Sequence, residues 1–256
     1  MLLAIDAGNT NIVLGCMDGT KLRLTCRVHT DRNKTEDEYA MIFLSLFTLN
    51  NIKTEEFDGA IVSCVVSELN DVLRKAVEQL IHKRPLVVGA GLKTGLNIKI
   101  DNPAQLGADL VVDAVAAIAK YPKPIIIFDI GTANTMSVID RQGHFLGGAI
   151  MPGPRLSANS LSDQTSQLPR IELEAPPRVI SRNTTQCIQS GLIYGHAAMV
   201  DGLIDRVEDE LGEPAATVVA TGGQFGTIAP YCRHKIIWDD VLMLDGLRIL
   251  YEKNRR

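Results

Sequence analysis

The chain has 256 residues, of which 46% are hydrophobic, 22% charged and 5% aromatic, the balance of a globular protein rather than a disordered, collagenous or membrane-embedded one. A formal charge of −4 excludes a nucleic-acid surface as the main purpose, because phosphate-backbone affinity needs a clustered excess of Lys and Arg. Cys16, Cys26, Cys64, Cys187 and Cys232 form no C-x-x-C, the histidines form no metal-ligand pair, and no apolar run approaches the ~18 residues of a membrane span, so a reducing cytoplasm is expected.

In chain order, Leu2-Leu3-Ala4-Ile5 reads as a buried strand ending at Asp6-Ala7-Gly8-Asn9-Thr10. An apolar-polar alternation follows through Ile12, Leu14 and Cys16 to an Asp18-Gly19 turn, which completes a β-hairpin. Thr35 and Glu38 have capping-box spacing, and Tyr39, Ile42, Phe43, Leu46 and Phe47 then recur at helical intervals. Residues 60–66 read as a strand, 69–81 as a helix and 86–88 as a short strand. The glycine-rich run Gly89 to Gly95 lacks the glycine that a P-loop places before its Lys, and it misses the dinucleotide spacing. It reads as a flexible loop on the substrate side or as a plain connection.

Residues 105–119 are alanine- and valine-rich and read as a helix opened by Gly107-Ala108-Asp109. Tyr121-Pro122-Lys123-Pro124 breaks it, which places a domain boundary near residue 121 and expects halves 1–121 and 122–256. Then the first hairpin recurs. Ile125-Ile126-Ile127-Phe128 runs into Asp129-Ile130-Gly131-Thr132, alternation follows through Met136 and Val138, and a turn comes at Asp140 to Gly143. Two copies of one module about half a chain apart imply a duplicated α/β domain. Gly147-Gly148-Ala149-Ile150-Met151-Pro152-Gly153 reads as a strand exit, 184–211 as a long helix with Asn183 as N-cap, 217–220 as a strand leading into Thr221-Gly222-Gly223, and 242–251 as a closing helix.

A strand that ends in Asp-x-Gly before a small polar residue can aim main-chain N–H groups and a hydroxyl at a phosphate, while its carboxylate orients water on a magnesium ion. One such bend is an everyday turn; two at half-chain spacing favour a nucleotide site. Asp109 in a helix's first turn is held ionised by the macrodipole and can either accept a substrate proton or only stabilise its helix. Asp113, one turn on, is the weaker candidate. Thr184 can offer its hydroxyl to a ligand or to its own backbone, and the glycines at 222 and 223 either admit a ligand or simply turn the chain.

Together, Asp6-Ala7-Gly8-Asn9-Thr10, Gly107-Ala108-Asp109, Asp129-Ile130-Gly131-Thr132, the 147–153 run, Asn183-Thr184 and Thr221-Gly222-Gly223 resemble, in order and spacing, the type III pantothenate kinases. The resemblance covers nearly the whole chain. It implies duplicated actin/ribonuclease-H-like domains, each a mixed β-sheet flanked by helices. It also implies ATP-dependent phosphorylation of pantothenate by a cytoplasmic homodimer using Mg²⁺ and potassium or ammonium. By that likeness Asp6, Ala7, Gly8, Asn9, Thr10, Asn11, Ile12 and Val13 form a first phosphate loop and Thr132 a second. Asp129 holds the monovalent cation, and Asp109 is the base. Gly107, Ala108, Asp109, Leu110, Ile100 and Thr184 line the pantothenate side, Thr184 from across the dimer. The family usually has Arg where this chain has Leu110 and Tyr where it has Ile100, and Asn134 replaces a common Thr. A catalytically weak nucleotide-binding regulator, or a kinase for another small hydroxylated substrate, is the competing expectation.

Overall fold

The computed structural model describes residues 1–255. β1 (Leu2–Ala7), β2 (Asn11–Asp18) and β3 (Lys21–His29) form an antiparallel meander. α1 (Glu36–Leu49) starts at the Thr35–Glu38 capping box and buries Tyr39, Phe43 and Phe47, spaced four apart so that they share one face. β4 (Gly59–Cys64) is buried along its whole length, as expected of a strand lying parallel to β1 inside a sheet. α2 (Asn70–Ile81), β5 (Leu86–Val87), β6 (Asn97–Ile98) and α3 (Ala108–Lys120) follow.

The repeat then begins with β7 (Ile125–Ile130), β8 (Ala133–Ile139) and β9 (His144–Pro152). α4 (Pro154–Asp163), α5 (Thr184–Leu211), β10 (Thr217–Thr221), the short α6 (Phe225–Ile228), β11 (Ile237–Trp238) and α7 (Leu242–Asn254) complete the described elements.

One sheet has the order β3-β2-β1-β4-β5 and the other β11-β10-β7-β8-β9-β6. Read from β9, the second repeats the first: β7 is antiparallel to β8 and parallel to β10, as β1 is to β2 and β4. The duplication expected from the two hairpins therefore extends to five strands in each half, with β6 added at the edge of β9.

The chain divides into two compact units. Unit 1 comprises Met1–Leu96, Asp101–Ala119 and the segment from Val241 onward; unit 2 comprises Asn97–Ile100 and Lys120–Asp240. The units thus depart from the expected halves 1–121 and 122–256 in two segments, for identifiable reasons. Leu244, Leu247 and Leu250 of α7 share a buried cluster with Leu2, Ala4, Ile61, Val112 and Val115, so the closing helix completes the core of unit 1. β6 pairs in parallel with β9, which takes residues 97–100 into unit 2.

Two further readings are revised. Gly147 and Gly148 lie within β9 rather than at its exit, next to a register shift where Val138 pairs with Gly147 and Ile139 with Phe145, leaving Leu146 as the extra residue of a bulge. The Gly89–Gly95 run is fastened rather than loose. Asn254 of α7 pairs with the main chain of Lys93 through both amide atoms at 2.9 Å each, and Lys253 Nζ donates to Thr94 O at 2.7 Å.

Candidate active site

Unit 1 presents Asp6 at the carboxyl end of β1, where the register sets it between Val13 of β2 and Ser63 of β4. The hairpin then turns through Gly8, Asn9 and Thr10, with Gly8 N–H donating to Asn11 O at 2.9 Å. This turn is braced from outside the motif. Thr30 donates its hydroxyl to Gly8 O at 2.7 Å and its N–H to Thr10 O at 2.9 Å, and Arg32 Nη2 donates to Asn9 Oδ1 at 3.1 Å. Beside Asp6 in the register, Ser63 is fully buried and its hydroxyl has no hydrogen-bond partner among the described residues.

Asp109 occupies the first turn of α3, half-buried, where the helix macrodipole favours a carboxylate. Its Oδ1 accepts the Leu110 N–H at 2.9 Å, and Oδ2 takes no partner among the described residues. One oxygen therefore anchors the side chain while the other stays open to accept a proton. Asp113, one turn along, is buried in the helix body. Leu110 is half-buried beside Asp109.

Unit 2 builds a tighter version of the same turn. Gly131, Thr132 and Ala133 make a three-residue connection between β7 and β8, with Thr132 exposed at its tip. Asp129 is the penultimate residue of β7 and lies in register with Thr135 of β8 and Thr221 of β10, so Thr221 stands to Asp129 as Ser63 does to Asp6. Two glycines enclose this connection. A Cβ on Gly153 would overlap the carbonyl oxygens of Gly131 and Thr132, and one on Gly222 would overlap Asp129 Oδ1 and the main-chain N and O of Ile130. Gly222 also has φ +92°, a conformation that residues with side chains rarely adopt. Gly222 of the Thr221-Gly222-Gly223 step thus lies against the Asp129 carboxylate.

Thr184 is the first residue of α5 and is exposed. Asn183 Oδ1, not Thr184, caps the helix by accepting from Gln186 N–H at 2.9 Å. The Thr184 hydroxyl takes no hydrogen bond among the described residues, which leaves it available to a ligand. Ile100, in unit 2, packs over the Gly147 backbone.

The type III pantothenate kinase family matches residues 2–206, and a type III pantothenate kinase of an Exiguobacterium species is 47% identical over 256 residues, covering 100% of both chains. The chain belongs to the type III pantothenate kinase family. It is an ATP-dependent kinase whose acceptor is pantothenate, in the route to coenzyme A. Among solved structures, a Campylobacter jejuni protein assigned to a Baf family of transcriptional activators aligns with TM-score 0.62 at 18% identity over 98% of each chain. The activator of 2-hydroxyisocaproyl-CoA dehydratase from Clostridium difficile, with bound ADPNP, aligns with TM-score 0.58 at 14% identity over 99% of this chain and 94% of that one. These two show the fold alone, with its two sheets of like winding.

Four residues that sequence reasoning passed over lie beside the expected site. Thr30, Arg32, Ser63 and Gln224 sit against the expected phosphate turns or their strand-end aspartates. Only the paired strand-turn pattern could have pointed to Ser63, because it lies in register with Asp6 as Thr221 does with Asp129.

Proposed function

We propose that the kinase transfers the γ-phosphoryl group of ATP to the primary hydroxyl of pantothenate, with Asp6 to Val13 and the turn carrying Thr132 as its two phosphate turns and Asp109 as the base. The observation that carries this reading is the duplication itself: Asp6 and Asp129 are the penultimate residues of equivalent strands in two like-wound sheets, and each strand runs into a glycine turn. Phosphoryl transfer needs positioning and charge neutralisation more than covalent help, so rigid turns and cations serve without a P-loop lysine.

Among the described residues there is no group of three or more His, Cys, Asp or Glu that could hold a metal ion. The donors at the strand ends are carboxylate, hydroxyl and main-chain carbonyl oxygens. This set fits Mg²⁺, which is usually held by one or two carboxylates plus phosphates, and it fits a monovalent cation at Asp129. The metal would supply neutralisation of phosphate charge. Asp109 would accept the hydroxyl proton at Oδ2, Thr132 would hold phosphate, and Gly107, Ala108, Leu110, Ile100 and Thr184 are assigned to pantothenate recognition.

We read the active form as a cytoplasmic homodimer. Ile150, Val179 and Ile180 of unit 2 are 76%, 62% and 86% exposed, apolar surface that a second copy would cover. No helix of the described residues is long and apolar enough to cross a membrane.

The test is ATP-dependent phosphorylation of pantothenate with and without potassium or ammonium. Turnover that responds to the cation is expected, and Asp129→Ala is expected to abolish that response because its carboxylate is the anionic ligand. An unchanged cation response in the variant would place the ion elsewhere. Clear nucleotide binding with no turnover would move the reading to a regulatory paralogue.

Leu110→Arg tests the acceptor side. A charge-assisted contact to the pantothenate carboxylate contributes roughly 1.5 to 3 kcal/mol, or about one to two powers of ten in affinity. The contact forms equally in ground and transition states, so KM for pantothenate should fall with kcat changed less. A folded variant whose KM does not fall, alone or combined with Ile100→Tyr, would show that these positions do not set recognition.

A further inference from the structure

The turn carrying Thr132 is held by a residue that belongs to none of the motifs. Gln224 lies two residues beyond Gly222, and three of its polar groups reach the turn and its surroundings. Its N–H donates to Ile130 O at 3.0 Å, its Nε2 donates to Gly131 O at 3.0 Å, and its Oε1 accepts the Arg155 N–H at 3.2 Å. These partners are the end of β7, the first residue of the turn, and the first turn of α4.

The third contact has a physical cause. The opening N–H groups of a helix usually bond to the side chain of the N-cap residue. The N-cap of α4 is Gly153, which has no side chain to offer, and a Cβ there would overlap the carbonyls of Gly131 and Thr132. Close approach of Gly153 to the turn therefore costs α4 its own cap, and Gln224 supplies one from a distant part of the chain. The same amide group that caps α4 also restrains Gly131 O, so the turn and the helix are fixed to each other through one side chain.

We propose that Gln224 is a positioning residue for nucleotide: it holds the Gly131–Ala133 turn in the conformation that presents Thr132 to the ATP phosphates. The inference rests on the assignment of that turn to phosphate binding. Binding donors held rigidly before the ligand arrives avoid the cost of ordering them at the moment of binding. Loss of the clip should weaken nucleotide binding and leave pantothenate binding untouched.

The experiment compares the unaltered kinase with Gln224→Met, which keeps the length and removes both amide functions. Gln224→Glu is the second variant: it keeps the oxygen that caps α4 but puts a carboxylate oxygen where Nε2 donates to Gly131 O. The readouts are the dissociation constant of a non-hydrolysable ATP analogue, both KM values, kcat and the melting temperature. The expected result is an analogue Kd and an ATP KM raised about tenfold in both variants. KM for pantothenate should stay within about twofold and the melting temperature within a few degrees. Nucleotide affinity within twofold of the unaltered kinase in either folded variant overturns the proposal, as does a parallel rise of both KM values with a large fall in melting temperature. Analogue binding is measured without the acceptor. If the unaltered chain binds analogue but does not phosphorylate pantothenate, the assigned reaction fails while the affinity comparison still decides the role of Gln224.

Discussion

Asp109→Asn is expected to lower turnover by roughly two to four powers of ten, the usual contribution of a positioned general base. The substitution is nearly isosteric. Its amide oxygen can go on accepting the Leu110 N–H, so the first turn of α3 keeps its geometry. What disappears is the ability of Oδ2 to take a proton, together with a negative charge at the start of a helix. That charge is worth about 0.3 to 1 kcal/mol, or at most a few degrees of melting temperature in a protein of this size. The result to look for is a collapse of kcat with little change in melting temperature or in KM for ATP. A variant turning over at near-normal rate would remove Asp109 from the proton transfer.

Gly222→Ala should be among the most damaging single methyl additions in unit 2, because it combines backbone strain with overlap. An L-residue at φ +92° is strained by about 1 to 3 kcal/mol, and the added Cβ must also displace the Asp129 carboxylate and the Ile130 main chain, which cannot retreat without disturbing β7. A total near 3 kcal/mol corresponds to a fall in melting temperature of roughly 6 to 12 °C. Because the displaced atoms include the carboxylate assigned to the monovalent cation, the cation response should fall with it. Gly195→Ala on α5, where a Cβ would meet nothing within 4 Å, is the comparison and should be neutral or slightly stabilising. Equal melting temperatures for the two variants, with cation activation intact, would show that the contact at Gly222 is not critical.

The parts of the fold that could be read from the sequence are those with a local signature. Both hairpins announce themselves by a β-rich apolar run, an Asp-x-Gly step and renewed alternation. α5 is bounded at one end by Asn183 as N-cap and at the other by Gly212 in the left-handed conformation. The capping box at Thr35 was likewise visible. Residues that act only through distant partners were not. Thr30 reaches Gly8 across 22 positions and Gln224 reaches Gly131 across 93, and neither sits in a pattern that spacing could reveal. Periodicity also showed that α7 is a helix without showing which core it enters, because Leu244, Leu247 and Leu250 would suit any apolar face. α4 escaped notice because it is short and rich in Ser and Asn, with its cap supplied from elsewhere.

The placement of α7 has a consequence for the order of assembly on the ribosome. All of unit 2 apart from residues 97–100 is one uninterrupted stretch, 120–240, whereas unit 1 keeps its core open to solvent at Ala4, Ile61 and Val112 until α7 arrives. Domains generally fold as units during synthesis at about 5 to 20 residues per second. The half translated first is therefore the half finished last, and it waits for several seconds with an apolar face uncovered while the other half is made. Released chains that end at residue 240 should carry a protease-resistant unit 2 and a protease-sensitive unit 1.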